Sequence, residues 1–429
     1  MEEGEGDRDE FTEMCKFVVD SGPFDGYSPT EHIIKGKQDT VVTVDSGLRV
    51  VNFCSNNYSG LASDDRIVEA ANKIMKTHGY GMSSAPLMWG FQDIHKKLEK
   101  ALAEFHGTDD CLLFPSGYHT NVGVFQACFN DEDAIFSDAE NHASIVDGVR
   151  LWKAKRFIYR HLDLVHLEEQ LKSTQDWRFR CIITEGIFSM DADILDLPKY
   201  IALARKYKAV IYLDECHSIG VIGKTGRGWV EYWGCIPNDW HFIWSTLGKA
   251  IGGGGGGYVT GRKAIIDFLR QTWRTFIFSN SLCSPIIGAS LKALELFNED
   301  PNMFERLRQN ALRFRTGMRK NGFYVFGSDD WPICPVLIKD TVLGYIIETT
   351  LLKRGYYTIG LIYPIVPKGT GRFRIIVTAK HTHEQIDGLV QEFKNLADEL
   401  NLFEKIKSIP GPDNNWGKDE PSSEIKAKL

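Results

Sequence analysis

Apolar residues along the chain gather into short runs separated by longer amphipathic stretches. The runs are AIF at 134–136, CIIT at 181–184, VIYL at 210–213, FIW at 242–244 and YVT at 258–260. Short, mostly apolar segments with little polar alternation predict strands covered on both faces. Between CIIT and VIYL lies LPKYIALARKYKA, where Pro198 suits a first helical turn and Leu203 falls on the apolar face. A parallel crossover takes about a dozen residues or more, so this spacing predicts an α/β fold with a parallel, doubly wound sheet over residues 51–290. A smaller C-terminal α/β domain is expected over 291–405. It would use PICPVLI at 332–338, a helix near 341–354, RFRIIVT at 372–378 and a helix after His381. Residues 1–50 read as an arm that ends in the strand pattern VVTV at 41–44 and a turn at Asp45–Gly47. Residues 406–429 read as a polar tail.

Composition then removes several classes of function. A chain of 429 residues, 43% hydrophobic and 25% charged, can bury a large core and a second domain. The net charge of -7 gives no general attraction to nucleic acid, which is not an expected partner. Nine cysteines lack any CxxC framework and predict reduced thiols in a reducing compartment. The acidic start MEEGEGDRDE resembles neither a secretory signal nor an arginine-rich transit peptide, and no apolar stretch is long enough to span a membrane. The expectation is cytoplasmic, or mitochondrial if a transit peptide precedes this sequence.

One segment departs from the pattern. TLGKAIGGGGGGY at 246–258 puts two residues between Lys249 and six consecutive glycines. Glycine loses the most backbone entropy on folding, so such a run in a folded domain implies close backbone approach and a lysine on a tight turn. The competing reading is a surface linker with a solvated lysine. A P-loop is excluded because its glycines precede Gly-Lys-Ser/Thr.

In open parallel sheets ligands bind beyond the carboxyl ends of the strands. Those ends would carry Asp138 and His142, Glu185 and Ser189, Asp214 and His217, and Ser245, Thr246 and Lys249. Taken singly, each has a structural reading as a helix cap or, for His142 and His217, a core histidine. A metal is not expected, because HExxH and zinc-type cysteine spacing are both missing. A lysine that condenses with an aldehyde and a buried carboxylate that pairs with a protonated heteroaromatic nitrogen are what pyridoxal phosphate requires. Its phosphate would find a hydroxyl at Thr246 and backbone N–H groups at PSGYHT, 115–120.

Eight segments resemble the α-oxoamine synthases, a family of fold-type I pyridoxal-phosphate enzymes. They are NFCSNNYSGLA (52–62), GTDDCLLFPSGYHTN (107–121), SDAENHASIVDGVRLWKAKRF (137–157), TEGIFSMDADILDLP (184–198), DECHSIGVIGKTGRG (214–228), STLGKAIGG (245–253), FIFSNSL (276–282) and YPIVPKGTGRFRIIVTAKHT (363–382). The resemblance covers residues 50–400. It implies a fold-type I transferase with a large, mostly parallel mixed-sheet domain and a smaller C-terminal domain. It also implies Lys249 as the Schiff-base lysine, Asp214 as partner of the pyridine nitrogen, His142 stacked on the ring and His217 near the ring oxygen. Ser189 would lie in the cofactor pocket, Thr246 and the backbone at Gly117 and Tyr118 on the phosphate, and Asn56 and Arg374 on the substrate carboxylate. Ser279 would come from the neighbouring subunit of a homodimer with shared active sites.

The loop forms TLGKA, FSNSL and YPIVPKG resemble the branch that joins glycine to acetyl-CoA, giving 2-amino-3-oxobutanoate and CoA, or cleaves that product in threonine breakdown. A sister activity with another acyl-CoA or amino acid, and a non-catalytic paralogue serving as a partner subunit, are the alternatives. Two departures stand out: DECHS at 214–218, and APLMWGFQDIH at 85–95, where Trp89 and Phe91 either reshape the acyl channel or are core aromatics.

Overall fold

The computed structural model describes residues 11–17, 32–235, 242–329, 331–361, 366 and 369–409. Most of YPIVPKG and the polar tail from residue 410 lie outside the described residues. In chain order the strands are β1 (Ile34–Lys35), β2 (Val41–Val44), β3 (Arg49–Asn52), β4 (Asp110–Phe114), β5 (Ala134–Asp138), β6 (Lys155–Tyr159) and β7 (Arg180–Glu185). They continue with β8 (Val210–Asp214), β9 (Phe242–Thr246), β10 (Gly257–Gly261), β11 (Ile333–Lys339), β12 (Tyr356–Tyr357), β13 (Gly360–Leu361) and β14 (Gly371–Ile376).

The central sheet has seven strands in the order β4-β10-β9-β8-β7-β5-β6. Strands β6, β5, β7, β8 and β9 pair in parallel. Alternate residues of one strand feed opposite faces: Ile182, Ile211 and Ile243 join one core, and Ile183, Tyr212 and Trp244 another. Two covered faces explain why these strands read as continuous apolar runs. The edge strand β6 is exposed at Lys155, Arg156 and Ile158, which hides it from a search for such runs.

The parallel expectation fails at YVT, because β10 runs antiparallel to both β9 and β4. The connection from β9 to β10 spans only residues 247–256. It holds no crossover helix, so the chain turns back on itself. The glycine run makes that turn, with Gly252, Gly253, Gly255 and Gly256 all at positive φ.

Helix Ser284–Glu299 packs on helix Asp65–His78. A Cβ at Gly288 would stand 2.7 Å from Ile74 and 2.8 Å from the Ala70 carbonyl oxygen, so glycine sets their approach. Toward the C-terminus, β11, β14 and β13 form an antiparallel sheet. Its core includes Phe314, Ile347, Leu351, Phe373 and Phe393 from the strands and the helices Asn302–Lys320, Thr341–Lys353 and His383–Leu400. A third sheet unites β1, β2 and β3 with β12, and β12 lies parallel to β3. The first strands of the chain are thereby joined to its last third. Trp89 is 94% exposed, which overturns its reading as a core aromatic. Phe91 packs on the His95 ring at 4.8 Å between centroids.

Candidate functional site

Strands β7, β8 and β9 end side by side, with Glu185 in register with Asp214 and Asp214 with Trp244. Asp214 is 4% exposed, and its carboxylate accepts a 2.8 Å hydrogen bond from the Cys216 backbone N–H. Burial pushes its carboxyl up, while the nearby Lys249 works in the opposite direction. Glu185 is also buried. Burial first, and then the charge of Asp214, push it well above the ordinary carboxylate range. The His142 N–H donates to Glu185 Oε1 at 2.5 Å. In this low-dielectric corner the two carboxyls titrate as a pair, and the charge of Asp214 disfavours a second anion at Glu185.

After β9 the chain folds into a loop held by its own hydroxyls. Gly248 N–H donates to Thr246 Oγ1 at 3.0 Å, and Thr246 Oγ1 donates to the Gly256 carbonyl at 2.9 Å. Ser59 Oγ donates to the Ala250 carbonyl at 2.6 Å and pins the far side of the lysine turn. Lys249 Nζ then lies 2.8 Å from His217 Nε2. His217 Nδ1 is 2.7 Å from the Tyr58 hydroxyl, which is 3.2 Å from Asn56 Oδ1. Arg374 Nη1 donates to the same Asn56 oxygen at 3.3 Å, and its Nε donates to the Ser189 carbonyl at 2.7 Å. A continuous polar chain therefore runs from Lys249 to Arg374. Burial, then Lys249, Arg374 and His142, push His217 well below the ordinary histidine value, so the ring is neutral.

The turn before helix Gly117–Cys128 forms the other wall. Ser116 caps that helix by accepting from His119 N–H, and the first-turn N–H groups at Gly117 and Tyr118 have no intrahelical acceptor. Glycine keeps this corner open. A Cβ on Gly257 would fall 2.8 Å from the Gly117 backbone, and one on Gly117 would fall 3.0 Å from the Trp244 ring. The Tyr118 side chain points elsewhere and donates its phenol proton to Asp147. His142 does serve as a helix cap: its Nδ1 accepts from Ser144 N–H at 3.2 Å. The same ring is near enough to feel the charge of Lys249, which, after burial, lowers its pKa.

Lys249, His217, Asn56, Arg374 and the Ser189 backbone are thus brought together, with Asp214, His142, Thr246 and Gly117 around them. Ser279 makes no hydrogen bond to Thr246 or Lys249 within the one chain. Sequence reasoning missed Tyr58 and Ser59. Both stand in NFCSNNYSGLA, where no spacing rule separates a core tyrosine from one that faces a histidine 159 residues away. Asp138 belongs to a different cluster, because it accepts from His161 and from the Leu162 N–H.

An amine, a buried carboxylate, an imidazole and a glycine-lined helix N-terminus match a ligand with an aldehyde, a basic ring nitrogen and a phosphate. Residues 49–393 match the model of the aminotransferase class I and II family. The chain belongs to that family. Among class I and II aminotransferase relatives it is 43% identical over 366 residues to a mitochondrial 2-amino-3-ketobutyrate coenzyme A ligase of Mus musculus, covering 85% of this chain and 87% of the relative. It is 41% identical over 399 residues to the 2-amino-3-ketobutyrate coenzyme A ligase of Escherichia coli K12, covering 92% of this chain and all of that one. A solved serine palmitoyltransferase with PLP internal aldimine superposes with a TM-score of 0.85 at 26% identity, covering 92% and 98% of the two chains. This places the chain in the α-oxoamine synthase branch of the aminotransferase family.

Proposed function

We propose that this chain is a 2-amino-3-ketobutyrate coenzyme A ligase, which condenses glycine with acetyl-CoA to 2-amino-3-oxobutanoate and CoA and also catalyses the reverse cleavage. The observation that carries the chemistry is the unbroken polar chain from Lys249 through His217, Tyr58 and Asn56 to Arg374. The relatives supply the choice of acyl donor.

The residues that would hold pyridoxal phosphate are Lys249, Asp214, His142, His217, Ser189, Thr246 and the backbone at Gly117 and Tyr118. When bound, the cofactor supplies an electron sink for a carbanion at the amino acid α carbon. The chain's own groups do the rest. Asp214, costly to ionise when buried alone, is stabilised as an anion by a cation placed against it. Arg374 and Asn56 grip the glycine carboxylate, a task that suits a planar guanidinium fork. Lys249 Nζ takes the α proton, and His217 and His142 donate toward the carbonyl oxygen of the thioester.

The working species is a homodimer in which Ser279 of the partner subunit completes each phosphate site. The resemblance of FIFSNSL at 276–282 to the family's shared-site segment suggests this, and a symmetric dimer would then hold two equivalent shared sites. Free cysteines throughout suit a reducing compartment.

Borohydride reduction of the loaded enzyme, followed by mass spectrometry, should fix the pyridoxyl group on Lys249 and nowhere else. Turnover should be fastest with glycine and acetyl-CoA in a panel of acyl-CoA species and small amino acids. Preference for palmitoyl-, succinyl- or pimeloyl-CoA, or for serine or alanine, would replace this reading with a sister activity.

A further inference from the structure

The central sheet has a second rim, opposite Lys249, at the N-terminal ends of its parallel strands. There, beside the start of the edge strand β6, a cavity of about 430 Å³ opens to solvent. That volume falls within the range of about 300–1,000 Å³ found for small-ligand pockets. Two half-buried indoles flank it. Trp177 packs with one core, edge-on to Phe157 at 6.5 Å between centroids, and Trp152 packs with the other, where its indole N–H donates to the Phe129 carbonyl. Both rings are fixed by these contacts, so little freedom is lost when a ligand packs on them.

The rest of the wall is cationic. Lys153, Lys155 and Arg156 line the cavity, with Asp131 as the one carboxylate. Neighbouring acids are already taken, because Arg178 binds Asp133 at 2.6 Å and approaches Glu132 at 3.8 Å. Among the described residues none of Lys153, Lys155 and Arg156 enters an ion pair, although the whole chain carries a net charge of -7. Three cations less one carboxylate leave a local charge of +2. The backbone adds a donor. The Lys155 N–H is spent on the Asp133 carbonyl, so by the alternation of a strand the Arg156 N–H points off the open edge.

We infer that this cavity is a second ligand site, separate from the Lys249 rim, which takes a nucleoside polyphosphate: the base packs on Trp152 and Trp177, the phosphates lie on Lys153, Lys155 and Arg156, and Asp131 accepts from a ribose hydroxyl.

Each part of that ligand answers an observed feature. A bare polyphosphate has no use for the indoles, and an uncharged aromatic has none for the cations. An arginine fork and two ammonium groups suit phosphate oxygens, and aromatic side chains are the usual platforms for bases. Cations on an edge strand also deter pairing with another sheet. That would account for Lys155 and Arg156, but not for a cavity between two tryptophans. The five or six residues of β5, β6 and β7 put roughly 13–17 Å of strand between this site and the carboxyl ends. The two rims can therefore be filled together. Coenzyme A carries adenosine phosphates like those of free ATP, so either molecule could supply the ligand.

The test is calorimetric titration of the cofactor-loaded enzyme with ATP. One ATP per chain should bind, about tenfold more tightly than inorganic tripolyphosphate, because only ATP has a base to stack. The double change Lys153→Ala and Arg156→Ala, at two exposed positions, should weaken ATP and tripolyphosphate alike by about tenfold or more. Trp177→Leu should erase the preference for ATP and leave tripolyphosphate binding as it was, a result that a general loss of folding cannot give. Adding CoA to the ATP-loaded enzyme separates the sources: displacement of ATP makes the coenzyme the supplier of the ligand, and its absence makes it a free nucleotide. ATP bound equally well by the Lys153 and Arg156 double variant lies elsewhere and overturns the proposal. No saturable ATP binding overturns it too, as does equal affinity for ATP and tripolyphosphate in the unaltered enzyme. A single-stranded oligonucleotide held more tightly than ATP would overturn the ligand class. Binding is read directly, so these outcomes stand whether or not glycine and acetyl-CoA are the substrates at the Lys249 rim.

Discussion

His217, buried, and His161, half-buried, both lie beyond strand ends of the central sheet, and their neighbours drive them in opposite directions. His217 lies among Lys249, Arg374 and His142, and burial together with those charges keeps it neutral. His161 lies between two carboxylates, with Nδ1 2.8 Å from Asp138 and Nε2 3.2 Å from Asp193. Burial opposes its charge, but Asp138 and Asp193 overcome that and push it up to about 11. The first ring can pass a proton between its nitrogens. The second is a fixed cation that ties the 191–193 segment to the sheet. That segment is also held by the Asp191–Arg372 ion pair, and just before it the Ser189 carbonyl receives Arg374. The acid-bound region is therefore a clamp, and the cation-bordered region beside it is where proton traffic is possible.

The change expected to have the largest effect on this division is Arg374→Lys. A lysine has the charge but not the fork, so it cannot hold the Ser189 carbonyl and Asn56 Oδ1 while gripping a carboxylate. Expected is a fall in kcat/KM for glycine of about 100-fold, equivalent to about 2–3 kcal/mol for lost charged hydrogen bonds. The clamp should be indifferent, with the pH dependence of thermal unfolding unchanged. A variant that loses stability but keeps its glycine kinetics would show that Arg374 belongs to the clamp instead.

The clamp has its own test in His161→Gln, which leaves Asp138 buried without its cation and should cost about 3 kcal/mol. The folded pKa of His161 lies above its unfolded value. Its stabilisation is therefore fully present below about pH 6.5, the ordinary value, and is lost as pH rises through about 11. The melting temperature of the unaltered chain should accordingly decline over that window more steeply than that of the variant. Equal slopes would remove His161 as the source.

The contrast between the two histidines also shows where the sequence stops speaking. Asp214, His217, Thr246 and Lys249 could be placed at one rim because each directly follows an apolar run, and a parallel sheet delivers such ends together. The hydrogen bond from Arg374 to Asn56 spans 318 residues and depends on β12 pairing with β3 and on β14 lying at the centre of its own sheet. Two-residue strands such as β12 have no periodicity to detect. Only the resemblance to a family brought Asn56 and Arg374 forward. Nothing in the spacing of polar residues told His217 from His161, because both follow strands and their difference is made by charges arriving from elsewhere in the chain. The antiparallel β10 was legible in principle, since ten residues between β9 and β10 leave no room for a crossover.

A finer test concerns the floor of the rim, where two glycines of one run play different parts. At Gly257 a methyl group would lie 2.6 Å from Thr120 Oγ1 and 2.8 Å from the Gly117 backbone. That backbone cannot yield without moving the N-terminus of its helix. At Gly255 the same methyl would meet nothing within 4 Å, and the only obstacle is φ +83°. Gly257→Ala should therefore cost about 1–3 kcal/mol through overpacking and also weaken retention of pyridoxal phosphate, because the displaced element carries the first-turn N–H groups. Gly255→Ala should cost about 1–2 kcal/mol of backbone strain with cofactor retention unchanged. Thermal unfolding measured with and without cofactor separates the two. If both variants lose stability alike and retain the cofactor alike, the close approach of Gly257 to Gly117 has no part in holding the phosphate, and the run serves only to turn the chain from β9 into β10.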